Sequence, residues 1–242
     1  ASNTNNGATP ASFSRRQQNL LTYNMPSMNG FDASFAWSAA NEATAVTSAA
    51  TIQKPRLWSA MAAYTNGPLA LGIAYERHVD YNPGQQTNYQ GSNDTMYTLG
   101  AGYTFMGSLR ISGVYNSINY NNISAGADMS VKTWGVYGDW AVSGPHRIRL
   151  GYGSQGSTKG TYNGGTAAQV GVWTGNAGAG QTGAQKIHGE YAYALSKRTE
   201  IGLAYAKINN DRFSNITIGT GANTPNLGES QTFYGALIRH KF

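Results

Sequence analysis

Cysteine is absent from the 242 residues, which excludes a disulfide framework, a thiol nucleophile and a cysteine-ligated metal. Charge is scarce: 12% of residues are Asp, Glu, Lys or Arg, about half the share of a soluble domain. No run approaches the roughly 18 consecutive apolar residues that a membrane-spanning helix needs. Helical periodicity is missing too, since no stretch repeats its apolar residues at three and four. Ala1–Ser14 has neither a positive n-region nor an apolar core, so no signal peptide is read there. Lys and Arg total 17 against 11 Asp and Glu, yet they are scattered singly. Without a basic stripe, nucleic acid is not an expected partner.

What is present is glycine and aromatic surface: 31 Gly, 16 Tyr and 5 Trp. Aromatics at 12% with a net charge of only +6 argue against disorder. The mean hydropathy of −0.41 suits a membrane β-barrel, whose polar lumen offsets its apolar outside. The pattern is period two. Strands are expected near Arg16–Met25, Phe31–Ser38, Arg56–Tyr64, Leu69–His78, Thr95–Phe105 and Leu109–Ile118. Five more follow near Val131–Val142, His146–Gln155, Gln185–Leu195, Thr199–Ile208 and Gln231–Phe242. Leu69, Leu71, Ile73 and Tyr75 share one face, while Ala70, Gly72, Ala74 and Glu76 share the other.

The connections alternate short and long. Short ones are Pro26–Gly30, Asn66–Pro68, Met106-Gly107, Ser143–Pro145 and Ser196–Arg198. Long ones are Ala39–Pro55, Val79–Asp94, Asn119–Ser130, Gly156–Ala184 and Asn209–Ser230. An up-and-down outer-membrane barrel does this, whereas a soluble sandwich has no reason to keep its long loops at one end. Phe31, Trp37, Trp58, Tyr64, Tyr103, Phe105, Trp134, Trp140, Tyr193 and Phe242 are expected on the lipid face, mostly near strand ends, as two interfacial girdles. Eleven strands is an odd count where closed bacterial barrels are even. An open edge in lipid costs several kcal/mol per unpaired backbone group, so an N-terminal portion is expected to be missing.

The closing Tyr234-Gly-Ala-Leu-Ile-Arg-His-Lys-Phe242 resembles the last strand of trimeric, 16-stranded general porins of Gram-negative bacteria, of the β-proteobacterial type. Arg16-Gln-Gln-Asn-Leu-Leu-Thr-Tyr-Asn-Met-Pro-Ser-Met-Asn-Gly-Phe31 is similar to that family's sixth strand, directly after the third loop, which folds into the pore. Leu20, Met25 and Met28 depart from the family pattern without disturbing the turn. The resemblance implies that the chain holds strands six to sixteen, that residues 1–14 are the tail of the pore loop and that 15–242 are barrel. It makes Arg16 the wall arginine of the constriction, with Arg15 as the fallback. No Asp or Glu occurs in Ala1–Ser14 to supply the acidic side. Phe242, with Tyr234 in the same strand, would form the signal read by the barrel-assembly machinery. Partners implied are two further copies in a homotrimer, outer-membrane lipid and lipopolysaccharide, and small solutes; no cofactor is implied.

Passive diffusion needs polar inward side chains and fixed charge, not a reactive group. Alternation turns Arg16, Arg110, Arg147, Arg149, Lys186, His188, Arg239 and Lys241 inward, against Asp32, Glu76, Asp139, Glu190 and Glu200. That excess implies a mild anion preference. Two placements stay open for Arg147 and Arg149: lining the throat, or pairing with Asp139 as part of the wall. Gly151–Gly156 and Gly178–Gly183 fit G-x-G-x-x-G, but neither opens a helix, so both read as loop glycines. His78, His146, His188 and His240 share no metal spacing and read as solitary wall or rim residues. An outer-membrane barrel hydrolase, with His78 and Asp80 as its pair, is the enzymatic alternative; a 12-stranded monomeric channel and an adhesive barrel are the others.

Overall fold

The computed structural model describes residues 13, 17, 19–39, 56–79, 93–124, 127–160, 180–219 and 222–241. Alternating apolar and polar or small residues build a single antiparallel sheet. Its strands are β1 (Leu20–Asn24), β2 (Phe31–Ser38), β3 (Arg56–Asn66), β4 (Leu69–Val79), β5 (Asn93–Phe105) and β6 (Leu109–Ser124). Then come β7 (Ala127–Ser143), β8 (His146–Gln155), β9 (Lys159–Gly160), β10 (Ala184–Ala194), β11 (Thr199–Asn210) and β12 (Gln231–His240). Apart from β9, every strand lies beside its sequence neighbour in a continuous meander. The described residues show no pairing between β1 and β12, so the sheet has two edges.

Register fixes the two faces. Phe31 opposes Tyr64, Trp37 opposes Trp58, and Trp140 lies between Leu109 and Ile148. This outer face keeps large apolar groups open, among them Leu71 at 45%, Ile73 at 53% and Leu203 at 66% exposure. Such contiguous apolar surface is what lipid covers in a membrane barrel. The inner face holds polar groups with alanines and glycines between them, such as Gly72 opposite Gly100.

Tight turns link the strands at one end. In the β1–β2 turn, Gly30 has φ +81°, and a Cβ there would lie 2.0 Å from the Thr65 carbonyl oxygen. The Thr65 amide donates to the Gly30 carbonyl at 2.7 Å, which ties that turn to β3.

Four expectations are corrected. Asn119–Ser130 is not a long loop: β6 and β7 extend to Ser124 and Ala127, with a register shift between Tyr120 and Ser124. Cross-strand pairing overrides the turn-rich Asn121-Asn122 composition, since each added pair satisfies backbone groups the loop would leave to water. The same extension puts Trp134 well inside β7 rather than near a strand end. Gly156–Ala184 also contains ordered structure, because β9 pairs with Met129 and Ser130 of β7. Finally, Gly151 and Gly153 lie in β8, not in a loop.

Candidate functional site

The inner wall carries the chemistry, and its two ends are built differently. Toward the short turns, one inward row of register partners runs Thr104, Arg110, Asp139, Arg149, Glu190, Ala204 and Gly235. Arg147, two residues before Arg149, donates from Nε and Nη2 to the two carboxylate oxygens of Asp139, each at 2.6 Å. Arg149 reaches Asp139 at 3.8 Å and donates to Glu190. Arg239 of β12 donates to Glu190 at 2.9 and 3.0 Å and also to Glu200. Three arginines therefore face three carboxylates across β7, β8, β10, β11 and β12, and the ladder is electrically neutral. Its members range from 15% side-chain exposure at Glu190 to 49% at Arg239, so each pair is wet and weakly stabilising.

Arg110 stands outside this ladder. It is the register partner of Asp139, but its guanidinium leans the other way, over Gly102 of β5. A Cβ on Gly102 would lie 3.1 Å from Nη2. No carboxylate lies within 4 Å of Arg110 among the described residues. The His188 ring occupies the space over Gly151 of β8, where a Cβ would come within 2.0 Å of it, with the Tyr137 ring at 5.8 Å.

Toward the long loops the wall is packed rather than paired. Ser38, Leu57, His78 and Asp94 are successive register partners on β2, β3, β4 and β5, and Tyr120 on β6 pairs with Met129 on β7. Exposure is 0% at Ser38, His78, Asp94 and Tyr120, 4% at Leu57 and 3% at Met129. His78 Nε2 bonds Glu76 Oε1 at 2.8 Å. The Phe13 ring stacks on His78 at 4.4 Å and lies 5.9 Å from Tyr120. Nearby, the Asn121 side-chain amide donates to the Asn93 carbonyl at 3.0 Å.

The loop between β11 and β12 is folded onto this end by inward side chains. Asn210 Nδ2 donates to the carbonyls of Ile216 at 3.0 Å and Glu229 at 2.8 Å. Its Oδ1 accepts from the Ser214 hydroxyl at 3.1 Å and the Ile216 amide at 3.0 Å. Gln231 accepts from the Ile218 amide at 2.8 Å and donates to the Asn223 carbonyl at 2.7 Å. Lys186 Nζ donates to the Ile218 carbonyl at 2.6 Å.

The site residues read from sequence thus fall into three groups. Arg147, Arg149 and Asp139 come together in the ladder; Arg110, Lys186 and Glu76 stand apart, the last two engaged by a loop carbonyl and by His78. Tyr234 lies on the outer face of β12 at 77% exposure, beside Tyr205 at 5.3 Å. Arg15, Arg16, Phe242 and Asp80 lie outside the described residues. The reading of solitary histidines is corrected: His78 is stacked and bonded, His146 Nδ1 bonds the Tyr191 hydroxyl at 2.7 Å, and His240 bonds Thr199 at 2.9 Å. Alternation gave each histidine a face but not a partner from another strand. The contributions of Phe13, Tyr120 and Asn210 were missed for the same reason.

Comparison with known proteins agrees with this architecture. The Gram-negative porin family matches residues 1–212. Outer membrane porin protein 32 of Delftia acidovorans is 26% identical over 230 residues, covering 94% of this chain and 57% of that protein. The solved anion-selective porin from Comamonas acidovorans superposes with a TM-score of 0.66 at 24% identity, over 95% of this chain and 61% of that one. The outer membrane channel DcaP of Acinetobacter baumannii follows with a TM-score of 0.59 at 11% identity, over 92% and 62% of the two chains. The chain spans about three fifths of the length of these relatives. An antiparallel meander with an apolar outside and a charged inside, matched by one family over most of its length, is thus a piece of outer-membrane wall, and the chain belongs to the Gram-negative porin family.

Proposed function

We propose that the protein forms a water-filled outer-membrane channel for passive diffusion of small hydrophilic solutes and ions, with a mild preference for anions, and that it is not an enzyme. The observation that carries this reading is the division of the sheet: large apolar groups outside, and inside a wall of arginines, carboxylates and small residues. The two open edges at β1 and β12 support a barrel that closes with further strands. A homotrimer and recognition of the closing strand by the barrel-assembly machinery belong to the same proposal.

Because the arginine ladder is neutral, the anion preference rests on the cations outside it. Those turned inward are Arg110, Lys186, Lys241 and, by the family resemblance, Arg16, against Asp32 and Glu76. A fixed charge in a narrow throat acts through a lower effective dielectric than bulk water and draws counter-ions. Single-channel recording of the native protein in a planar bilayer tests the reading. Open, ohmic steps are expected, and a sealed barrel would overturn it. Arg16→Gln should then move the zero-current potential in a salt gradient toward cations, with the shift shrinking as salt rises. The same change at Arg212, in the β11–β12 loop, should do much less. Equal shifts would remove Arg16 from the throat.

A further inference from the structure

The inward row next to the arginine ladder, one step farther from the short turns, carries rings where a wet wall calls for polar groups. It runs in register from Gly102 of β5 through Tyr137 of β7 and His188 of β10 to Phe233 of β12. Each large side chain at this level occupies the space over a glycine. A Cβ would come within 2.7 Å of the Tyr137 hydroxyl at Gly135, 2.0 Å of the His188 ring at Gly151 and 2.6 Å of the Phe233 ring at Gly235. Gly102 does the same for the Arg110 guanidinium at 3.1 Å. None of these four glycines has a positive φ, so room for the side chain, not backbone freedom, is what glycine supplies there.

The rings stay open to the lumen, Tyr137 at 39% and Phe233 at 49% exposure. The Tyr137 and His188 rings lie 5.8 Å apart at 36°. Tyr137 and Gly102 are two strand spacings apart, about 9.5 Å, and the guanidinium of Arg110 stands over Gly102. No carboxylate lies within 4 Å of it among the described residues, while Asp139 and Glu190 of the next row are engaged by Arg147, Arg149 and Arg239. Open ring faces beside an uncommitted cation are complementary to a ring that carries a negative charge at its end. We propose that Arg110, Tyr137, His188 and Phe233 form a binding site on the inner wall for aromatic carboxylates. The guanidinium receives the carboxylate as a two-pronged, charge-assisted pair. The ligand's ring lies against Tyr137 and His188, and Phe233 continues the ring surface beyond Ala206. This inference deepens the channel reading by naming a solute class. It rests on that reading for its effect on current, but not for the binding itself.

Equilibrium dialysis of the folded native protein, with detergent alone subtracted, measures binding without any current. The probes are 3-phenylpropionate, cyclohexanepropionate and the uncharged 3-phenylpropanol. 3-Phenylpropionate should bind about five-fold more tightly than the cyclohexyl acid and about ten-fold more tightly than the alcohol. Tyr137→Ser should weaken its binding about five-fold, while Tyr137→Phe, which keeps the ring, should stay within about two-fold of the parent. Arg110→Gln should erase the preference for the acid over the alcohol. Should Tyr137→Ser fail to reach the folded mobility on gels, Tyr137→Leu takes its place as the ring-less variant. In planar bilayers, 3-phenylpropionate should add brief interruptions to the parent current and fewer to that of the ring-less variant. Equal binding of the three probes, unchanged binding in the ring-less variant, or an acid preference that survives Arg110→Gln overturns the site and leaves the channel reading intact. Ring- and charge-dependent binding to a barrel that never conducts supports the site and overturns the channel.

Discussion

The short-turn end and the long-loop end of the inner wall solve the same problem by opposite means. At the short-turn end, Arg147, Arg149 and Arg239 meet Asp139, Glu190 and Glu200 as partly exposed ion pairs, between adjacent strands or, for Arg239 and Glu190, across β11. At the long-loop end, Leu57, His78, Asp94, Tyr120 and Met129 are buried, and the ring of Phe13, from outside the strands, packs on His78 and beside Tyr120. Opposite charges on a wet wall stay mutually neutral and add little stability. Packed rings exclude water and add a great deal. The wall is therefore electrostatically tuned at one end and mechanically fixed at the other.

The largest difference should appear in stability. Tyr120→Ala removes a fully buried ring and should cost about 3–5 kcal/mol. Arg147→Ala, at 46% side-chain exposure, should cost less than about 1 kcal/mol. Urea midpoints of the folded barrel check both. Similar losses would mean that the two ends are not built differently.

A smaller effect is expected where the β11–β12 loop joins the wall. Asn210 uses both ends of its amide on loop groups, and Asn210→Ala leaves them unmatched at a cost of about 1–3 kcal/mol. Hydrogen exchange in 211–219 and 222–230 should quicken while the amides of β7 and β8 keep their protection. Unchanged exchange in the loop would show that Gln231 and Lys186 hold it without Asn210.

The same contrast explains what could be read from the sequence. Period-two alternation located all eleven strands of the meander, with Phe31–Ser38 and His146–Gln155 matching to the residue. It also gave Arg147, Arg149 and Asp139 one face, and the tight turn between β7 and β8 keeps them in register, so their pairing is legible in the sequence. The loop end was opaque because its contacts join residues far apart in the chain. Phe13 and His78 are 65 positions apart (78 − 13), and no spacing rule connects them. The hairpin beyond Ile118 was missed because asparagine and serine favour turns locally, while the ladder with β7 decides the outcome.

The smallest predicted effect is also the sharpest test of the electrostatic half of the comparison. Asp139→Asn together with Arg147→Gln removes one charge of each sign from a pair whose atoms meet at 2.6 Å. Arg149 keeps Glu190 as its partner, so no further charge is stranded; Asp139→Asn keeps side-chain size, while Arg147→Gln shortens a partly exposed side chain. Seen from the lumen axis, a close pair is a dipole whose field falls off faster than that of a single charge, and salt weakens it further. The double variant should therefore leave the zero-current potential where it was. Arg110→Gln removes a cation with no carboxylate within 4 Å among the described residues, and should move that potential toward cations, most at low salt. A shift in the double variant as large as that of Arg110→Gln would mean that Asp139 and Arg147 act on ions separately, and the ladder could not be treated as neutral wall.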